Sequence, residues 1–157
     1  MSKHAGMQKT SARLLDTADE ETASALAALL PQVSSRGAGL TRSRIDSVVS
    51  SASTQVIVAD LDGRIVGMAL LCICTTLAGQ FGLVEEVTVD ESARGNHVGV
   101  ELMVTLLETA ERLGLDFVEL TSRPEREAAN GLYRSLGFEL RHTNVYRHGL
   151  KTLPARL

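Results

Sequence analysis

The chain has no tryptophan, and only two tyrosines and three phenylalanines in 157 residues. Aromatics this scarce leave no platform on which nucleic-acid bases could stack. Cations are not in excess either. Sixteen lysines and arginines stand against 19 acids, a formal net charge of −3, and the basic footprint that binding to a phosphate backbone requires is missing. No apolar run approaches the ~20 residues that span a bilayer. The two cysteines, Cys72 and Cys74, would share one face of a strand. An i, i+2 pair in an extended chain is poorly placed for a disulfide, and no further Cys or His stands at zinc-ligand spacing. The expectation is two small buried thiols in a reducing cytoplasm, and no metal. Internal repeats, linkers and low-complexity stretches are also lacking.

What is present suits a single domain over residues 10–150, long enough to bury its own core. Residues 1–9 are polar, without the apolar core of a signal segment, and read as a disordered leader. Residues 151–157 read as a loose tail. Thr10 to Leu15 predicts a short strand. The acids between Asp16 and Glu21 precede an Ala/Leu run that stops at Pro31, which predicts a helix. Leu40 to Ser51 predicts a second helix after a Ser/Gly-rich loop. Thr54 to Ala59 and Arg64 to Thr75 flank a turn signal and predict a hairpin. A strand from Phe81 or Gly82 to Val89 would complete a three-stranded meander. Val98 to Leu113 carries Leu102, Leu106 and Ala110 at helical spacing and ends at Gly114. Leu115 to Thr121 reads as the next strand, so that strand, helix and strand suggest a parallel crossover. A last helix would begin around Ser122 or Arg123, with Pro124 in its first turn, and close at Gly137. Phe138 to His142 and Asn144 to His148 read as two final strands.

The stretch from Leu83 to Met103 organises the rest. A strand, a polar turn with glycines and a helix start follow one another. In that layout the unpaired N–H groups of the loop and first helical turn, with the helix macrodipole, favour bound phosphate. Two pieces then stand in order: VTVDESARGNHVGVELM over residues 87–103 and REAANGLYRSLGF over residues 126–138. Together they resemble the GNAT superfamily of acetyl-CoA-dependent N-acetyltransferases. The first is similar to its cofactor loop, V-x-P-x-x-R-G-x-G-x-G, and the second to its late helix, N-x-x-A-x-x-L-Y-x-x-x-G-F. The likeness is strong from Leu83 to Phe138 and weak over the preceding hairpin.

The resemblance implies an α/β (α+β) fold: a mixed, mostly antiparallel sheet of six to seven strands flanked by about four helices. It also implies acetyl-CoA as cosubstrate. The pantetheine chain would run along the free edge of Val87, Thr88 and Val89. The diphosphate would sit on the amides of Arg94, Gly95, Asn96, His97, Val98 and Gly99, with Val100, Arg126 and Asn130 as further cofactor contacts. Tyr133 matches the family tyrosine that protonates the leaving thiolate. A backbone N–H near Val87 would hold the oxyanion. Glu85 and Glu86 are the candidates for the base that takes the amine proton. Regular strand alternation turns them opposite ways, and Glu85 is the preferred one because the first of such a pair is the more usual base. The chain departs from the pattern at His97, where glycine is usual, at Glu91, where proline is common, and at Arg126, where asparagine is frequent.

The implied reaction is direct acetyl transfer to a primary amine, of a small molecule in the first reading and of a peptide or protein in the second. A non-catalytic acyl-CoA-binding domain is the alternative from another class. The resemblance also allows a homodimer through the final strands; nucleic acid and membrane are not expected partners.

Overall fold

The computed structural model describes residues 9–37 and 39–150. In chain order the elements are β1 (Thr10–Leu14), α1 (Glu20–Leu29), α2 (Arg42–Val49), β2 (Thr54–Leu61), β3 (Arg64–Thr76), β4 (Gly79–Val89), α3 (Val98–Arg112), β5 (Val118–Glu119) and α4 (Glu127–Ser135). The five strands form one sheet in sequential order, antiparallel throughout except for the parallel β4–β5 pair. The architecture is the mixed, mostly antiparallel sheet with four helices that the resemblance implied, with fewer strands among the described residues than the six to seven expected. The expected leader, except Lys9, and the expected tail lie outside the described residues.

Local chemistry accounts for the helices. Asp19 caps α1 by accepting from the Thr22 amide at 2.8 Å, and Glu20 and Glu21 follow in the first turn. Thr41 caps α2 by accepting from the Arg44 amide at 3.2 Å. Side-chain oxygens at these positions satisfy amides that have no partner within the helix.

Alternation along the strands then sorts apolar residues to two faces of the sheet. Ile57, Ala69, Leu71 and Val84 pack with Leu102, Leu106 and Tyr133 of α3 and α4. On the other face, Val56, Val58 and Met68 pack with Leu26, Leu29 and Ile45 of α1 and α2. The central helix α3 is amphipathic, and its Leu102, Met103 and Leu106 are fully buried. No described helix is long and apolar enough to cross a membrane.

Four expectations are corrected. The strand from Leu115 to Thr121 shrinks to the two residues of β5. It is anchored to β4 by Asp116 N–H donating to Gln80 O at 2.8 Å and Gly82 N–H to Phe117 O at 2.9 Å. The last helix starts at Glu127, and Pro124 stays in the preceding loop. There the Asn130 side-chain amide donates to Arg123 O at 2.9 Å and to Pro124 O at 3.4 Å, holding that loop out of the helix. The two final strands do not form. Residues 138–148 pair with no strand among the described residues, and Leu140, Val145 and Tyr146 are exposed. Their alternation of apolar and polar residues satisfies a strand pattern, but a strand needs a neighbouring edge to bond. Finally, Cys72 and Cys74 are free, as expected, but half-buried rather than buried.

Candidate active site

β4 carries two irregularities that together make the site. The first is a bulge. Met68 pairs with Thr88 and Leu70 with Glu85, so Ala69 of β3 faces both Glu86 and Val87. Glu86 sits in the left-handed region at φ 54, which is uncommon for a residue other than glycine. This breaks the alternation that the sequence suggested for the glutamate pair. Glu86 turns into a cavity of about 590 Å³ between α1, α2 and the sheet, while Glu85 is exposed and lies outside its lining. Val87 packs on the opposite, α3-facing side.

The second irregularity is a splay. β5 pairs with β4 only at Gly82 and Leu83. From Val84 to Val89 the other edge of β4 has no strand beside it among the described residues, so Val87, Thr88 and Val89 lie along an open edge.

Beyond that edge the chain forms a cradle of amides. Asp90 accepts from the Ser92 amide at 2.9 Å and opens a short 3₁₀ turn over Glu91–Ala93. None of the six successive backbone N–H groups of Gly95, Asn96, His97, Val98, Gly99 and Val100 has a hydrogen-bond partner among the described residues, and the first helical bond of α3 is Glu101 N–H to His97 O at 3.1 Å. Six free donors at the positive end of a helix dipole can take a diphosphate. The Arg94 amide is outside this set, since it donates to Glu91 O at 3.4 Å, while its exposed guanidinium lies 3.8 Å from Glu91.

Two residues in the loop explain the glycine preference of the pattern. Gly95 has φ 82, a torsion that glycine adopts without strain. A Cβ on Gly99 would lie 3.2 Å from Leu132 of α4, so a side chain there would crowd that leucine. His97 also adopts a left-handed torsion, φ 58, where glycine is usual; its side chain is exposed and makes no capping bond. Left-handed backbone costs an L-residue about 1–2 kcal/mol, partly offset by the ~0.5–1 kcal/mol of extra chain entropy that glycine loses on folding. His97→Gly is therefore expected to raise stability by about 0.5–1 kcal/mol in denaturant unfolding. No gain, or a loss, would show that the histidine is not strained.

Sequence reasoning missed Thr10. Its Oγ1 donates to Asn96 O at 3.0 Å, tying the cradle to β1 across 86 residues of chain. The Asn96 side chain closes the loop from within, donating to Ala93 O at 3.1 Å. Asn130 is likewise committed to the β5–α4 loop rather than left free.

Tyr133 projects from α4 into the α3-facing core at 7% exposure, with its ring tilted against Phe138 at 5.8 Å between centroids. Its hydroxyl has no hydrogen-bond partner among the described residues. Burial pushes the phenol above its ordinary pKa, and the positive charge of Arg126, just before α4, works the other way. Glu86 is also perturbed. Burial raises its carboxyl pKa first, the charge of Glu85 raises it further, and Arg36 lowers it.

Comparison with known proteins agrees with this geometry. The acetyltransferase (GNAT) family profile matches residues 22–138. An acetyltransferase of Trypanosoma brucei is 28% identical, covering 90% of this chain and all of its own, with a TM-score of 0.73. An aminoglycoside acetyltransferase from an uncultured soil metagenomic sample, solved with trehalose, is 16% identical over 96% of this chain and 99% of its own, with a TM-score of 0.77. The aminoglycoside N-acetyltransferase AAC(6')-Iy, bound to the bisubstrate analog CoA-S-monomethyl-acetylneamine, shares the fold at a TM-score of 0.72, with 15% identity over 90% of this chain and 98% of its own. No curated protein sequence matches the chain. With a profile match across most of its length, an open β4 edge and a cradle of free amides, the chain belongs to the GNAT acetyltransferase family of acyltransferases.

Proposed function

We propose that the protein acetylates the primary amine of a small molecule by direct transfer. The observation that carries this reading is the cavity of about 590 Å³ that reaches the β4 bulge and has Glu86 as its one carboxylate among the described residues. Its volume is that of a small-molecule site, and residues of α1, α2, β2, β3 and the α1–α2 loop line it. When bound, acetyl-CoA supplies the acetyl thioester. The amides of Gly95 to Val100 take its diphosphate, and the edge of Val87, Thr88 and Val89 takes its pantetheine chain. Arg94 and Arg126 add positive charge, and Asn130 positions the loop before α4.

Glu86, rather than Glu85, accepts the amine proton as the nitrogen–carbonyl bond forms. The N–H groups near Val87 are the donors we assign to the carbonyl oxygen. Tyr133 donates its proton to the sulfur as the carbon–sulfur bond breaks, so the products are an amide and the free CoA thiol. Proton exchange with solvent then restores both residues. Two half-buried thiols fit a reducing cytoplasm. The exposed Leu140, Val145 and Tyr146 favour pairing of this stretch with a second copy.

The test joins calorimetry with acetyl-CoA to thiol release across an amine panel. Cofactor binding without turnover of any small amine, but with turnover of a lysine-bearing peptide, would replace the small-molecule reading. Binding without any turnover would leave an acyl-CoA-binding domain. Thr10→Val checks the cradle separately. Losing one hydrogen bond of about 1 kcal/mol should weaken acetyl-CoA about 3- to 10-fold in calorimetry while kcat holds. Unchanged affinity would mean that the Thr10 tie does not position the amides.

A further inference from the structure

The cavity beside Glu86 is not lined as a site for a polycation would be. Most of its lining is apolar, with Leu30, Ile45, Val48, Met68 and Leu70 among it. Against the single carboxylate stand two guanidiniums, those of Arg36 and Arg44. Neither makes a side-chain hydrogen bond or an ion pair among the described residues; only their backbone amides do. Arg42, two residues before Arg44 on α2, makes a useful contrast. It is spent on the scaffold, bonding Asp46 and Glu20 at 2.9 Å each and the carbonyl of Ala18. The fold thus satisfies one arginine of this helix and leaves its neighbour at the cavity without a protein anion.

We propose that the acceptor is an amine on an apolar body that also carries an anionic oxygen group, with the amine at Glu86 and the anion held by Arg36 and Arg44. This rests on reading the Glu86 cavity as the acceptor site. The physical logic is division of labour. The apolar walls take the body of the ligand. A guanidinium presents a planar fork of donors that matches carboxylate or phosphate oxygens, and a charge-assisted bond of that kind fixes orientation as well as charge. A polyamine or aminoglycoside would place further cations against two guanidiniums, with one carboxylate to neutralise them. Arg36, Arg44 and Glu86 all line the same cavity, so one ligand can meet both charges.

The experiment compares matched amines by thiol release with acetyl-CoA. 6-Aminohexanoate is set against 6-aminohexanamide and leucine against leucinamide, with 1-amino-3-methylbutylphosphonate as the phosphate-like arm and spermidine as the polycation. The expected result is that the anionic member of at least one pair has a kcat/KM about 10-fold or more above its amide. Arg36→Gln and Arg44→Gln should abolish that preference by raising KM with kcat largely kept. Both side chains are exposed, so neither substitution threatens folding. Whichever of the carboxylate and phosphonate arms is faster identifies the anion. Amides or spermidine turned over as well as the anionic amines would overturn the proposal, and so would a preference that survives both substitutions. Calorimetry on the CoA-bound protein separates the two readings. Anionic amines that bind in an Arg44-dependent way without turnover would uphold this inference and sink acetyl transfer; neither binding nor turnover would sink this one.

Discussion

Tyr133→Phe is expected to lower kcat about 10²-fold or more while leaving acetyl-CoA affinity and stability near those of the wild type. The ring packs in the α3-facing core and against Phe138, and phenylalanine keeps that packing. The hydroxyl has no protein partner among the described residues, so removing it strands no donor or acceptor. Its loss should register only where a proton must reach the departing sulfur, a role worth roughly 10²–10⁴ in rate. The pH dependence gives a second signature. Burial raises the phenol pKa, so the protonated, donating form persists to higher pH than in a free tyrosine, and the alkaline limb of kcat moves up accordingly. Arg126→Gln removes the one charge that opposes this shift and should move the limb higher still. Steady-state thiol release from pH 7 to 11 measures both. A phenylalanine variant that matches the wild type at every pH would remove Tyr133 from the reaction and leave it as a core residue.

The part of the site legible in the sequence was the part built by neighbours along the chain. The amide cradle from Gly95 to Val100 depends on a strand end, a turn and a helix start, and each has a local signature. The helix was placed within a residue at either end because its apolar period and Gly114 are both local. The Glu86 bulge left no such trace. Left-handed torsions usually announce themselves by glycine, and here the position is a glutamate followed by valine, which reads as ordinary strand. The alternation rule therefore left the pair unresolved, and the preference for Glu85 came from the resemblance, whereas the bulge carries Glu86 into the cavity. Thr10 was invisible for a different reason, since its bond to Asn96 is a tertiary contact. The cavity itself follows from how α1 and α2 lie on the sheet, which the helical periods do not encode. The final strands failed in the reverse direction. Their pattern was right, but pairing is a property of two segments, and β5 offers only two residues to the sheet.

Glu86→Gln should separate activity from stability, and in opposite directions. In the proposed mechanism Glu86 must be ionised, and its removal is expected to lower kcat/KM about 10²-fold or more. Burial and the Glu85 charge both raise its pKa, so the acidic limb of the wild-type kcat/KM profile should lie above the ordinary carboxylate range. Glu85→Gln removes a like charge and should move that limb to lower pH; Arg36→Gln removes an opposing one and should move it higher. The linkage follows the same shift. A carboxyl whose folded pKa lies above its unfolded value favours folding in its protonated form, and that contribution is complete below the unfolded pKa. It is lost as pH rises through the folded value. Glutamine is neutral at every pH and keeps the shape, so the variant should unfold at a higher temperature than the wild type at pH 7–8, and the two should converge near pH 4. A residue kept at the bulge at a cost in stability is the expected mark of a functional group. If Glu85→Gln abolishes turnover and Glu86→Gln does not, the base is the exposed glutamate and the bulge serves only to open the cavity.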